Sequence, residues 1–312
     1  MESLRLSFEA VTPIFLLMLL GYVLKSMKVA EKSTFDAING LVFKIFLPVL
    51  LFYNIYKTEA NQVFDIKLVA FTIISVFCIF IIGFFAVRFI TKDNAKRGVM
   101  LQGFFRSNYA ILGIPLVHYI CGEKSGALAS LMVAVVVPVF NVLAVISLEI
   151  FKSNKIEIKK IIKGILLNPL IIGCIFGMLF FVTKLKLPVV IENAISDISQ
   201  IASPLAIVIL GASFTFSGIK GYFKENLITV FVKLVLVPLI MLSVAALLGF
   251  RGEAFACMIV LFGAPVAVSS FAMAQQMGGD EKLASQVIVI SSAACVVTLF
   301  VWIFISSYLG FI

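Results

Sequence analysis

Charge is scarce in this sequence, and titratable groups are scarcer still where chemistry would need them. Of 312 residues only 13% are charged while 62% are hydrophobic, and there is a single histidine and a single tryptophan. A soluble domain carries roughly 25% charged and about 45–50% apolar residues, so that class is excluded. The acidic residues stand near the ends of apolar runs, with Glu149 and Glu253 at borders and Asp197 near a start. An intramembrane hydrolase needs an acid, a base or a metal in the bilayer core. No His-Glu-x-x-His pair, phosphate-cradling glycine loop or serine nucleophile elbow is present either. We therefore expect no catalytic residue, no metal site and no cofactor. The five cysteines, Cys78, Cys121, Cys174, Cys257 and Cys295, have no paired spacing. That points away from a disulfide framework or a zinc site and leaves them as packing residues. The net charge of +9 sits in loops between apolar runs, so it reads as a topology signal and not as a nucleic-acid surface.

Long apolar runs are what the chain does have. A span takes about 20 mostly apolar residues, and ten such segments can be read: 8–25, 35–56, 67–90, 96–120, 126–151, 161–183, 189–216, 224–249, 253–277 and 283–311. This predicts an all-α polytopic membrane protein of the cell membrane. Loops after odd-numbered spans hold more lysine and arginine than the others. Basic loops favour the cytoplasm, so both termini are expected outside it, with the loop "KSNKIEIKK" (152–160) inside. Lys44, Arg106 and Lys233 fall within spans, and Lys44 and Lys233 are long enough to snorkel to the interface. The first run has Glu2 and Arg5 before it and no small-residue cleavage site after it, so it is expected to be a retained helix.

The basic loop divides the ten spans into residues 1–151 and 161–312. Five is odd, so a second set resembling the first would lie inverted in the bilayer, a pattern of many secondary transporters. Span two carries "AINGLVFKIFLPVLL" with Pro48 deep inside, and span seven carries "AISDISQIASPLAIVIL" with Pro204 at nearly the same place. Span four contains "LGIPLV" around Pro115, and span nine contains "FGAPVAV" around Pro265. A proline in a helix interior loses one backbone bond and clashes with the preceding turn; Gly113 and Gly263, two residues upstream, ease the break. Freed backbone groups cannot face lipid. Interrupted helices in matching positions of two halves point to a carrier's central site.

The polar residues near these prolines are the binding candidates. Asn108 stands one to two turns before Gly113 and Pro115, and its amide both donates and accepts. Arg106 costs about 2.5–3.5 kcal/mol to insert at mid-bilayer, so it either faces a cavity or a partner, or it snorkels to the cytoplasm. Ser269 and Ser270 fall in the first turns of the half helix after Pro265, whose terminal amides carry partial positive charge and suit an anion. Their alternative is back-bonding to their own helix. Asn141, three residues after Pro138, faces the same cavity or bonds another helix. Tyr109, Gln275 and Gln276 are accessory candidates. His118 reads as structural before it reads as a proton relay. Gly173 and Gly177 of "GCIFG" form a small-xxx-small pair suited to a close helix contact.

Five stretches in order carry a wider likeness: "FEAVTPIFLLMLLGYVLKSMKVAEKSTFDAINGLVFKIFLPVLLF", "RSNYAILGIPLV", "VVPVFNVLAV", "IASPLAIVILGASF" and "GAPVAVSSFAMAQQMGGDEKLASQVIVISS". With these, the chain resembles the auxin efflux carrier family of permeases, which includes bacterial permeases for malonate and other organic acids and the plant auxin carriers. The resemblance implies ten helices in two inverted five-helix repeats, with helices four and nine broken and crossing at Pro115 and Pro265. It implies a scaffold of helices 1, 2, 6 and 7, often a homodimer contact, and a moving unit of helices 3–5 and 8–10 in an elevator-like cycle. The family's substrate region falls here on Asn108, Pro115, Asn141 and Pro265 with its neighbours Gly263 and Ala264; Ser269 and Ser270 are added from local physics. Two departures from the plant carriers stand out: the central loop is short, and the third span has no interior acid. The expected function is transport of a small organic anion across the lipid bilayer, with H+ or Na+ coupling open. The alternative is a non-transporting sensor or receptor for a lipid or metabolite on the same fold.

Overall fold

The computed structural model describes residues 2–58, 65–122, 126–152, 158–215 and 221–312, and their regular structure is helical. The apolar runs form α1 (Glu2–Ser26), α2 (Lys32–Tyr56), α3 (Ile66–Ile90), α4 (Asn94–Phe105), α5 (Tyr109–Cys121), α6 (Ala127–Lys152) and α7 (Ile158–Leu166). They continue as α8 (Pro169–Thr183), α9 (Val189–Ser213), α10 (Phe223–Leu247), α11 (Gly252–Gly263), α12 (Ser269–Met277) and α13 (Glu281–Tyr308). Short polar side chains set several of the starts by accepting first-turn amides. Asp65 takes the Lys67 N–H at 3.0 Å, Asp93 the Ala95 N–H at 2.9 Å, Asn168 the Leu170 N–H at 2.9 Å and Asp280 the Leu283 N–H at 2.9 Å. α12 stops at Gly278, whose φ of 82° lies in the left-handed region, and the Gly279 N–H closes back on the Ala274 carbonyl at 2.7 Å.

Six helices, α2, α3, α6, α9, α10 and α13, are long and apolar enough to cross a membrane, and α7 with α8, bent by 57°, forms a further candidate. The expected spans four and nine are instead pairs of short helices, α4 with α5 and α11 with α12. At 1.5 Å per residue none of these four crosses a bilayer alone. Residues 153–157 of the basic loop, and Phe216 at the end of the expected seventh span, lie outside the described residues. α2 and α10 each contain a π-helical turn, Val42–Phe46 and Val232–Leu236, directly ahead of Leu47-Pro48 and Val237-Pro238. The proline ring crowds the carbonyl four residues back and offers it no N–H; the wider turn absorbs that misfit.

Two helix pairs touch backbone to backbone. A Cβ built on Gly21 of α1 would overlap the Val208 carbonyl oxygen of α9, and one on Gly211 would overlap the Met18 oxygen. A Cβ on Gly173 of α8 would collide with the Pro48 oxygen of α2, and one on Gly177 would meet the Phe52 oxygen at 3.0 Å. The small-xxx-small pair in α8 is thus a close helix contact, of the kind that replaces hydrophobic drive in lipid. Large apolar side chains such as Ile82 and Phe85 of α3, Phe176 of α8 and Leu239 of α10 point outward, as a lipid-facing belt requires. By contrast α4 from Gly98 to Phe105 and α11 from Phe255 to Gly263 are buried throughout. The interrupted helices therefore lie inside the others, the only place where free backbone groups are tolerated at membrane depth.

Candidate functional site

The two interruptions meet. α4 ends with the Arg106 N–H still bonded to the Gln102 carbonyl at 2.9 Å, and the chain leaves the helix over residues 106–108, with Arg106 extended. The Asn108 N–H, which a continuing helix would direct at its own preceding turn, donates instead to the Pro265 carbonyl of the other interruption at 2.8 Å. On that side α11 ends because Pro265 has no N–H for the Leu261 carbonyl, and the Val266 N–H turns away to the Ser291 hydroxyl at 3.3 Å. α12 then starts afresh at Ser269.

The first break is not where the proline is. Pro115 lies within α5, which runs unbroken from Tyr109 to Cys121. A membrane helix can carry a proline when its neighbours satisfy the freed carbonyl. What ends α4 is tertiary bonding at residues 106–108. Gly113 is inside α5 as well, and a Cβ there would lie 2.9 Å from the Tyr109 ring, so its smallness makes room for a buried aromatic.

Arg106 stands at the centre, only 3% exposed, which removes the snorkelling reading. Its Nη2 donates to Asn141 Oδ1 at 2.7 Å and to Ser269 Oγ at 2.8 Å, while Nη1 reaches Gln102 Oε1 at 3.2 Å and Met273 Sδ at 2.7 Å. One guanidinium thus joins α4, α6 and α12. Its planar fork suits several acceptors at once, which an ammonium could not serve in this geometry. Every one of these partners is neutral, and among the described residues no carboxylate pairs with Arg106. The first turns of α5 and α12 open onto the same space, adding the partial positive charge of two helix N-termini. No carboxylate among the described residues offsets the charge of Arg106.

A cavity of about 40 Å³ lies there, lined by Arg106, Ser107, Asn108, Asn141 and Ser269 on the polar side. Leu47, Leu50 and Leu51 of α2, and Ser203 and Ala206 of α9, close it from opposite. The space is of the order of a few water molecules, so anything larger requires the break-bearing helices and the α2–α9 wall to move apart. The Ser107 hydroxyl is buried and meets no hydrogen-bonding partner among the described residues, leaving it free for a ligand.

Several candidates fall elsewhere. Gly263 packs toward Leu299 of α13 and Ala264 is fully buried in the break; Pro265 contributes its carbonyl. Ser270 is buried behind Ser269, and Tyr109 is buried beside Gly113. Gln276 is exposed at the end of α12. Gln275 belongs to a separate network: it accepts from Asn39 of α2 and donates to Asp36 Oδ1 and Glu281 Oε2, each at 2.9 Å. That network borders a larger hollow of about 610 Å³ flanked by Lys25, Lys28, Lys32 and Lys282. Sequence reasoning gave no role to Ser107 or Ser203. Both are hydroxyls inside a span, and Ser203 immediately precedes Pro204, which was the available signal.

Comparison with known proteins bears on this site. Residues 6–303 match the model of a family described as membrane transport protein. A protein of Methanothermobacter thermautotrophicus named "Uncharacterized transporter" is 24% identical over 305 residues, covering 95% of this chain and 97% of that one. "Uncharacterized transporter YfdV" of Escherichia coli (strain K12) is 23% identical, covering 94% of this chain and 96% of its own length. "Putative malonate transporter" of Rhizobium meliloti is 22% identical, covering 92% of each.

Proposed function

The chain belongs to the membrane transport protein family, the auxin efflux carrier permeases, and from that premise we propose that it is a carrier of small organic anions. The observation that carries this reading is the Arg106 guanidinium, buried among neutral acceptors with no carboxylate partner among the described residues. Leaving a charge desolvated without a counter-ion is costly. A substrate carboxylate arriving at Arg106, Ser107 and the first turns of α5 and α12 would supply that counter-ion. One relative is named for malonate, so dicarboxylates come first among the acids to test.

The architecture that goes with this function has ten spans in two inverted sets of five. The first set is α1, α2, α3, α4 with α5, and α6; the second is α7 with α8, α9, α10, α11 with α12, and α13. The backbone-tight α1–α9 and α2–α8 pairs suit a rigid scaffold, which would also be the homodimer contact, and the helices carrying the breaks would move against it in an elevator-like cycle. Both termini would then lie outside the cytoplasm.

The test is flux. Purified protein in liposomes is expected to exchange at least one radiolabelled mono- or dicarboxylate, and Arg106→Gln to lower that exchange about 100-fold while leaving the protein folded. If no acid in a broad panel is bound or moved by folded wild-type protein, with or without pH and sodium gradients, the reading fails.

A further inference from the structure

Lys233 is a second intramembrane cation that the anion site does not use. It lies in the π-helical turn of α10 and is fully buried, with 0% exposure. It therefore does not snorkel as its length allows; Lys44, its counterpart in the π turn of α2, is the exposed one. The Pro238 that provokes the π turn leaves the Leu234 carbonyl without its helical donor, and the Trp302 indole of α13 takes that carbonyl at 2.9 Å. With that group satisfied, the Lys233 side chain is directed toward α11. Its Nζ donates to the Phe262 carbonyl at 3.1 Å.

The Phe262 carbonyl is one of the groups the second break sets free. In a continuing helix it would accept from the Val266 N–H, but that donor is on Ser291. The end of α11 is a helix C-terminus with partial negative charge, where a cation is favoured. In carriers built on interrupted helices, such carbonyl ends hold the coupling cation. Here an ammonium already stands on one. The acids of the elements packed against the π turn are engaged at their own helix starts. Glu225 of α10 pairs with Lys96 of α4, Glu253 of α11 accepts from the Gly126 N–H, and Glu281 of α13 binds Gln275 and Lys32. Among the described residues no carboxylate forms an ion pair with Lys233.

We propose that Lys233 is a tethered cation standing at the carbonyl end of α11 in the place of a free coupling ion, so that the second break is held open without sodium. This rests on the carrier reading for its meaning in transport, but its chemistry can be tested without any substrate. Thermal unfolding of purified wild-type protein is expected to be the same in sodium, potassium and choline chloride at equal ionic strength. Lys233→Ala removes three methylenes and the ammonium; it is expected to unfold several degrees lower and to be restored in part by n-propylammonium, and not by tetramethylammonium. Lys233→Met keeps the length and drops the charge. If the lysine only fills space, removing a buried charge leaves stability equal or higher; under the proposal Lys233→Met unfolds lower, and where an acid is known to be carried, flux falls about tenfold with its binding retained.

A Lys233→Met protein as stable and as active as wild type overturns the proposal, and so does specific stabilisation of the wild type by sodium. Should Lys233→Ala fail to fold, the sodium comparison and Lys233→Met still decide. Failure of these thermal measurements leaves the anion reading intact, and absence of flux with every acid leaves them standing.

Discussion

The two breaks reach the same shape by different means. The break at 264–268 is written in covalent terms: Pro265 lacks the N–H that Leu261 needs, and the cation at its carbonyl end is lent by α10. The break at 106–108 has no proline in it and carries its own cation, Arg106, whose side chain ties α4 to α6 and α12. At the second break the positive charge sits on the carbonyl side and is answered there. At the first it stands at the C-terminal end of α4, close to two helix N-termini, and is answered only by neutral acceptors. On the proposed reading the first break would bring the charge to the ligand, and the second would bring Val268 and Ser269 to the same space.

The largest effect expected from disturbing this contrast is at Arg106. Arg106→Gln keeps hydrogen bonding and removes the charge; loss of a charge-assisted contact of about 3 kcal/mol predicts a drop of about 100-fold in kcat/KM for the carried acid. Arg106→Lys is expected to recover only part of it, because one ammonium nitrogen cannot stand both where Nη1 meets Gln102 and where Nη2 meets Asn141 and Ser269. Next comes Pro265→Ala, which returns an N–H to the Leu261 carbonyl and lets α11 run on; flux is expected to fall about tenfold, roughly 1.4 kcal/mol in barrier terms.

Ser291→Ala strips the Val266 N–H of its partner, and a buried unsatisfied amide costs about 1–3 kcal/mol. It should appear as a lowered unfolding temperature with a smaller change in flux. Pro115→Ala should do least, since α5 is already continuous there, and a flux within about twofold of wild type is expected. If Pro115→Ala and Pro265→Ala proved equally damaging, the two breaks would be alike after all.

Much of this was legible in the sequence. Composition alone gives the membrane class, and "RSNYAILGIP", Asn141 and "GAPVAVSS" name several of the polar residues at Arg106, Gln102 excepted. The position of the first break was not legible, because proline is the strongest break signal that local sequence carries, and here the helix ends where residues 106–108 bond to α6, to Pro265 of the second break and to α12. The fates of Arg106 and Lys233 were open for a related reason. Whether a long basic side chain snorkels or is sealed in depends on which helix covers that face, and two lysines in two π turns took opposite outcomes. Gln275 likewise reads as a site residue by its nearness to Pro265, yet one more turn of helix carries it to Asn39 and Asp36.

The bond from the Asn108 N–H to the Pro265 carbonyl has a consequence for genetics. It joins main chain to main chain, so a replacement at either position deletes it only by changing the backbone, as proline at 108 would, or as Pro265→Ala would if α11 ran on. A mutational scan of the crossing would score Asn108 and Pro265 for their side chains and pass over the link itself.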